Sequence, residues 1–293
     1  MEVIADLHVH SRFARASSSN ITIKGMESTA IQKGISLLAT GDFLHRQWLS
    51  EIKLNLEDEG NGLYKVKGSN SNVRFAIGGE VSTVYESKGK IRKIHHCVFV
   101  KSIEEAEQLR DILGKKGQLD SDGRPTLMMS SAELVESALS IEGNSFIFPA
   151  HAWTPYFGVL GSISGFDSID DAYEDKVSNI HALETGLSSD PEMNWRLSKL
   201  DRFTLISNSD MHSLPKMGRE ANVFELERLT YDEVVDAIKK KDKKRFKYTI
   251  EYYPEEGKYH YDGHRQCGYS SNPETQKSDI CPEACDWSAS QCK

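Results

Sequence analysis

Residues Val3–His10 read VIADLHVH, an alternating apolar run that closes on two histidines one residue apart. Such a run is a buried strand. Asp6, His8 and His10 share its parity, so both imidazoles leave it on one side. The same form recurs outward along the chain. Ile35–Thr40 precedes Gly41-Asp42, with His45 just beyond, and Phe75–Val81 carries Gly78-Gly79-Glu80. Ile94–Val100 opens on His95-His96, Phe146–Ala150 runs into His151, and Thr204–Ser207 runs into Asn208-Ser209-Asp210-Met211-His212. Ile180–Glu184 and Ala221–Leu226 are two further β-like runs.

Helical stretches stand between these runs: Glu27–Lys33, Gln47–Leu56, Ile103–Leu113, Ala132–Ile141, Pro191–Leu200 and Tyr231–Lys240. Ser130 or Ser131 caps the fourth, Asp190 the fifth and Thr230 the last. Alternating strands and helices argue for an α/β fold with a parallel sheet and helices outside. Six or seven such units in about 250 residues fit a closed or nearly closed barrel better than an open sheet. No glycine-rich phosphate fingerprint follows the first strand, which speaks against a dinucleotide-binding fold.

The 293 residues carry a net charge of −8, with 27% charged and 38% hydrophobic side chains, a globular composition. No run of 18 apolar residues offers a transmembrane helix. The acidic, alternating N-terminus does not read as a secretory signal. The charge speaks against DNA held by bulk electrostatics and leaves room for a local basic groove. Lys239–Lys247 (KKKDKKRFK) is the only basic run.

Four of the five cysteines fall in the last 27 residues, and from Tyr252 onward there is no Leu and no Val. Such a segment cannot bury enough apolar surface to fold alone. Clustered cysteines without a signal read as cytosolic and metal-binding. The chain therefore divides into residues 1–250, the α/β domain, and 251–293, a Cys-rich module. His264-x2-Cys267 with Cys281-x3-Cys285 supplies four ligands for one structural, tetrahedral zinc, and Cys292 competes for the fourth place.

If the strand ends converge on one rim, their imidazoles and carboxylates suit Zn²⁺, Mn²⁺ or Fe²⁺. A carboxylate can bridge two cations, which together polarise a phosphoryl oxygen and acidify a shared water. Each histidine alone reads as an ordinary loop residue; their order at successive strand ends carries the metal reading. His95 and His96 face opposite sides of one strand, so one of them is a ligand. His181 and His260 stand outside the pattern and read as structural.

DLHVHS, GGE, HH, AHAW and SDMHS, in that order, resemble the motifs of the polymerase-and-histidinol-phosphatase (PHP) family of metal-dependent phosphoesterases. The resemblance implies a distorted (β/α)7 barrel with two or three divalent cations, Zn, Mn or Mg, in its cup. It implies His8, His10, Glu80 and Asp210 around the first, and Glu80, His96 and His151 around the second. His45 and His212 would hold the third, with Asp42 substituting for an absent histidine.

AHAWTPYFGVLGS, ALETGLSSDPEMNWRLSKLD, LPKMGREAN and GKYHYDGHRQCG are similar to the endonuclease Q branch of that family. That branch implies a DNA repair endonuclease. It would nick 5′ to deaminated bases such as uracil and hypoxanthine by a metal-activated hydroxide, with Asp210, Glu80 and His151 as the catalytic groups. Implied partners are DNA carrying damaged bases and, as a further candidate, a replication clamp. No membrane is implied, and the location is cytoplasmic. Arg12, Arg196 and Arg219 are candidate phosphate contacts. Loops Trp153–Ser164 and Leu187–Asn194 are long enough to receive an extruded nucleotide.

The sequence departs from the pattern in three places. Ala16 stands where many PHP enzymes carry another histidine. The branch continues past its zinc module into a helical region, whereas this sequence ends at Lys293. The Cys281-x3-Cys285 spacing is looser than the common two-residue knuckle. A small-molecule phosphatase of the histidinol-phosphate type would use the same metals in a closed pocket without a zinc module. A non-catalytic scaffold in a polymerase assembly would have lost metal ligands. The Cys-rich tail and the basic run favour a polymeric substrate.

Overall fold

A computed structural model describes residues 1–141, 143–264 and 269–271. In chain order the strands are β1 (Glu2–Asp6), β2 (Leu37–Ala39), β3 (Leu56–Asp58), β4 (Tyr64–Val66), β5 (Arg74–Ser87), β6 (Lys90–Val100) and β7 (Thr126–Leu127). There follow β8 (Phe146–Pro149), β9 (Ala182–Glu184), β10 (Thr204–Ile206), β11 (Ala221–Glu225), β12 (Phe246–Ile250), β13 (Asp262–His264) and β14 (Tyr269–Ser271). The α-helices are α1 (Ile23–Lys33), α2 (Arg46–Asn55), α3 (Ile103–Leu113), α4 (Ser131–Leu139), α5 (Ile169–Tyr173), α6 (Pro191–Trp195) and α7 (Tyr231–Lys239).

The central sheet runs β12-β11-β1-β2-β5-β4-β3, with β6 pairing both β5 and β8. It is mixed rather than parallel throughout. β1 and β2, β2 and β5, and β9 and β10 are parallel; β5 and β6, β6 and β8, and β1 and β11 are antiparallel. The long β5–β6 ladder is antiparallel because its turn is tight. Lys88 and Gly89 both have positive φ, 54° and 71°, the backbone of a two-residue hairpin loop. So short a link cannot return a strand in parallel.

Hydrogen bonds carry the path from β8 to β9 and from β10 back to β1. The Ala152 amide donates to the Glu184 carbonyl at 2.9 Å, and the His10 amide to the Met211 carbonyl at 3.1 Å. β1 stops at Asp6, short of the expected His10, because the Leu7 amide turns to the Asn208 Oδ1 at 2.8 Å. A bridge between Val9 and Met211 keeps the alternation past the strand end.

Helices pack one apolar stripe against the sheet. In α7, Val234, Val235, Ala237 and Ile238 are buried, and the Thr230 side chain accepts the Glu233 amide as N-cap. Ser130, not Ser131, caps α4, in a reciprocal box with Glu133. The helix expected over Pro191–Leu200 ends at Trp195 and resumes as a 3₁₀ turn at Ser198–Leu200. There the Asn194 side chain donates to the Asp190 carbonyl and Ser189 Oγ and accepts from Trp153 Nε1, tying the turn to the neighbouring loop.

Among the described residues, no helix is long and apolar enough to cross a membrane. Cys267, Cys281, Cys285 and Cys292, with the side chain of His264, lie outside the described residues, and so does the expected zinc site.

Candidate metal centre

Three site residues leave their strands on strained backbone: Asp42, His151 and Asp210 have φ of 42°, 30° and 46°. Positive φ in non-glycine residues is costly and concentrates at functional sites. Here it aims each side chain inward from a strand end. Gly79 lets β5 and the Asp42 loop meet, since a Cβ there would stand 2.5 Å from the Asp42 amide nitrogen.

Two sets of ligand atoms converge: His8, His10, Glu80 and Asp210, and Glu80, His95 and His151. Glu80 belongs to both, one oxygen to each. Its Oε2 lies 3.2 Å from His10 Nε2 and 3.5 Å from His8 Nε2; its Oε1 lies 2.7 Å from His95 Nδ1 and 3.1 Å from His151 Nε2. Asp210 Oδ1 is 3.1 Å from His10 Nε2 and 3.6 Å from His8 Nε2.

These groups fit divalent cations on two grounds. The donors are imidazole nitrogens and carboxylate oxygens. His8 Nε2, His10 Nε2 and Asp210 Oδ1 are also buried without a hydrogen-bond partner, close together yet unaligned, as ligands aimed at a shared point are.

Outer partners fix the rings. Glu184 Oε2 lies 3.0 Å from His8 Nδ1, Asp42 Oδ1 2.9 Å from His10 Nδ1, and Thr154 Oγ1 2.8 Å from His151 Nδ1. Each leaves Nε2 facing the centre, the usual support of a metal-binding histidine. Burial opposes charge on His10, but Asp42, then Asp210 and Glu80, raise its pKa well above the ordinary imidazole value. Burial likewise works against the Glu80 carboxylate, yet His95, Arg124 and His8 hold it well below the usual range.

The structure corrects one expected ligand: His95, not His96, faces the centre. In the β5–β6 register Glu80 pairs Cys97 and Ser82 pairs His95, while His96 pairs Val81. Directly opposed residues share a face, so His96 is on the other side. Its Nε2 meets Thr83 Oγ1 at 3.0 Å and its Nδ1 the Tyr173 hydroxyl at 2.9 Å. Burial pushes its pKa down to about 3, a neutral structural imidazole.

Asp42, His45 and His212 join neither group. Asp42 is taken up by His10 and by the Ser11 amide; His45 stacks on Phe13 at 4.4 Å; His212 Nδ1 lies 3.0 Å from the Asp210 carbonyl oxygen. Arg12 is held by Glu51 and the Ile21 carbonyl. Arg219 donates to the Ser209 carbonyl beside Asp210, and Arg196 is exposed on a cavity of about 450 Å³ that Trp153 and Phe166 also line. Sequence reasoning missed Glu184 and Arg124. Glu184 ends a β-like run like the other site residues, a signal that was present; Arg124 lies in a polar loop without one.

No family model matches the chain. A lesion-specific endonuclease Q from Pyrococcus furiosus is 30% identical, with a TM-score of 0.80 over 94% of this chain and 65% of its own. An endonuclease Q in complex with a 27-mer duplex bearing an abasic lesion at its active site is 30% identical, with a TM-score of 0.82 over 94% of this chain and 66% of its own. The uncharacterised protein YqxK of Bacillus subtilis is 26% identical over 91% of this chain and 70% of its own length. In line with the resemblance read from the motifs, the chain is similar over 94% of its length to solved endonuclease Q structures. It spans about two thirds of the length of those solved endonuclease Q chains, 65% and 66%.

Proposed function

We propose that this chain is a metal-dependent DNA repair endonuclease that hydrolyses a phosphodiester 5′ to a deaminated base. The observation that carries the reading is Glu80, whose two oxygens divide between two ligand groups. That is the arrangement of a bridging carboxylate in a two-cation phosphoesterase. The solved endonuclease Q with damaged duplex at its active site supports DNA as the substrate. The loop hydrogen bonds that link the β9–β10 pair to β8 and to the end of β1 support reading the fold as a distorted seven-unit barrel; residues 1–250 as one domain and 251–293 as a zinc module rest on the sequence.

Bound divalent cations would polarise the scissile phosphate and lower the pKa of an attacking water. His8, His10 and Asp210 hold one side of the centre, His95 and His151 the other, and Glu80 couples them. Glu184, Asp42 and Thr154 keep the imidazoles aimed. An enzyme that selects a damaged base must take it out of the stack. The 450 Å³ cavity begins at Trp153, two residues past His151, and offers an aromatic face with Arg196 and Arg202 at its wall. A replication clamp as partner and a cytoplasmic location rest on the resemblance alone.

The test uses Mn²⁺-loaded protein with duplex and single-stranded oligonucleotides carrying one uracil, hypoxanthine or abasic site. Cleavage 5′ to the lesion is expected, and Asp210→Asn should lower it by at least about 100-fold. Hydrolysis of a phosphomonoester control without oligonucleotide cleavage would favour the small-molecule phosphatase instead.

A further inference from the structure

Among the described residues two ligand groups assemble, and the third set implied by the motifs does not. Asp42 has both oxygens engaged, at 2.9 Å from His10 Nδ1 and 2.6 Å from the Ser11 amide. His45 lies against Phe13, His212 turns Nδ1 to a backbone carbonyl, and position 16 is alanine. What meets the shared carboxylate on the Asp42 side is a different cation. Arg124 places Nη1 3.0 Å from Glu80 Oε2, the oxygen that also faces His8 and His10. Its side chain is 23% exposed. Its Nε and Nη2 have no hydrogen-bond partner among the described residues.

The loop that carries Arg124 is clamped in place. Asp122 Oδ1 accepts the amides of Arg15 at 3.1 Å and Arg124 at 3.0 Å. The Gly123 amide donates to the Phe13 carbonyl, and the Pro125 carbonyl accepts the Ser82 amide, both at 2.9 Å. A Cβ on Gly123 would collide with the Asp42 carboxylate and stand 2.7 Å from the Ala14 amide nitrogen. The loop therefore packs against Asp42, residues 13–15 and β5 and holds Arg124 at the shared carboxylate.

We propose that Arg124 is a further phosphate-contacting residue of the centre. The guanidinium holds Glu80 while donating its free N–H groups to a non-bridging phosphate oxygen. A guanidinium suits both tasks, because it stays charged and presents a planar fork to carboxylates and phosphates. The inference rests on the phosphodiester reading above.

The experiment counts Mn²⁺ on the full, metal-stripped chain by electron paramagnetic resonance and elemental analysis, then follows oligonucleotide cleavage. Two Mn²⁺ per chain are expected for wild type and for Arg124→Ala. Arg124→Ala should lose about 10²–10³-fold in kcat, the scale for removing one transition-state donor, with KM within a few-fold. Arg124→Lys, or free guanidinium added to Arg124→Ala, should restore at least about tenfold of that loss. Arg124→Ala within about threefold of wild type, or a loss of Mn²⁺ from that variant, overturns the inference and leaves the nuclease reading standing. Two Mn²⁺ with no cleavage of any phosphodiester by wild type overturns the nuclease reading and the inference together.

Discussion

At the scale of single residues, the adjacent histidines His95 and His96 separate binding from support. His95 lies 2.7 Å from Glu80, and burial lowers its pKa to about 4, so its ring is a neutral donor facing the centre. His96 instead joins Thr83 to Tyr173 in the buried interior. His95→Ala should therefore release one cation per chain and cut cleavage by at least about 10-fold. His96→Ala should keep its metal content and lose about 1–3 kcal/mol of stability, because the Thr83 and Tyr173 hydroxyls are left without their partner. Elemental analysis and urea unfolding of the two variants check this, and the reverse pattern would return the ligand role to His96.

At the scale of elements, two repelling carboxyls stand where β11 begins and β12 ends: Glu220 is buried and Glu251 partly so. Burial, then Glu251 and Glu184, push the Glu220 pKa from 4.5 up to about 9, and burial raises Glu251 as well. Glu220 Oε2 and Glu251 Oε1 are buried without partners, while Glu220 Oε1 accepts the Tyr252 amide and Glu251 Oε2 the Thr185 hydroxyl. Between pH 4.5 and about 9 the folded chain keeps a proton on Glu220 that the unfolded chain releases. The folded state binds more protons there, so stability falls as pH rises through that window, by up to about 1.4 kcal/mol per unit. Below pH 4.5 both states are protonated and Glu220 contributes no slope. Glu220→Gln removes the ionisation. It should stabilise the protein by about 1–3 kcal/mol at pH 8 and change little at pH 5. Equal urea midpoint shifts at both pH values would place the slope elsewhere.

For the whole molecule, ions that bind only the folded chain link metal loading to stability, by about 2.7 kcal/mol at a hundredfold excess over Kd. Mn²⁺ should raise Tm, chelation should reverse the rise, and Glu80→Gln should weaken the response because an amide bridges two cations poorly. The Cys-rich module is a separate test. Cys281→Ser should release about one zinc per chain and leave the Mn²⁺ response intact, because the two sites share no ligand. An unchanged zinc content would mean that these cysteines are not ligands.

Much of the site was legible in the order of residues because period-two alternation and strand-end position are local properties. VIADLHVH places His8 and His10 on one side whatever packs around them; AHAW and SDMH deliver His151 and Asp210 past strand ends, while GGE sets Glu80 within β5. The choice between His95 and His96 was not local. A one-residue shift of the β5–β6 ladder exchanges the faces of both, and only the pairing of Glu80 with Cys97 settles it. The mixed direction of the sheet, the engagement of Asp42 by His10 and the approach of Arg124 to Glu80 arise between segments far apart in the chain. Sequence alone determined which chemical groups stand at the strand ends. Tertiary packing decided which of them meet, because ligand sets, orienting partners and charge pairs are distances in space.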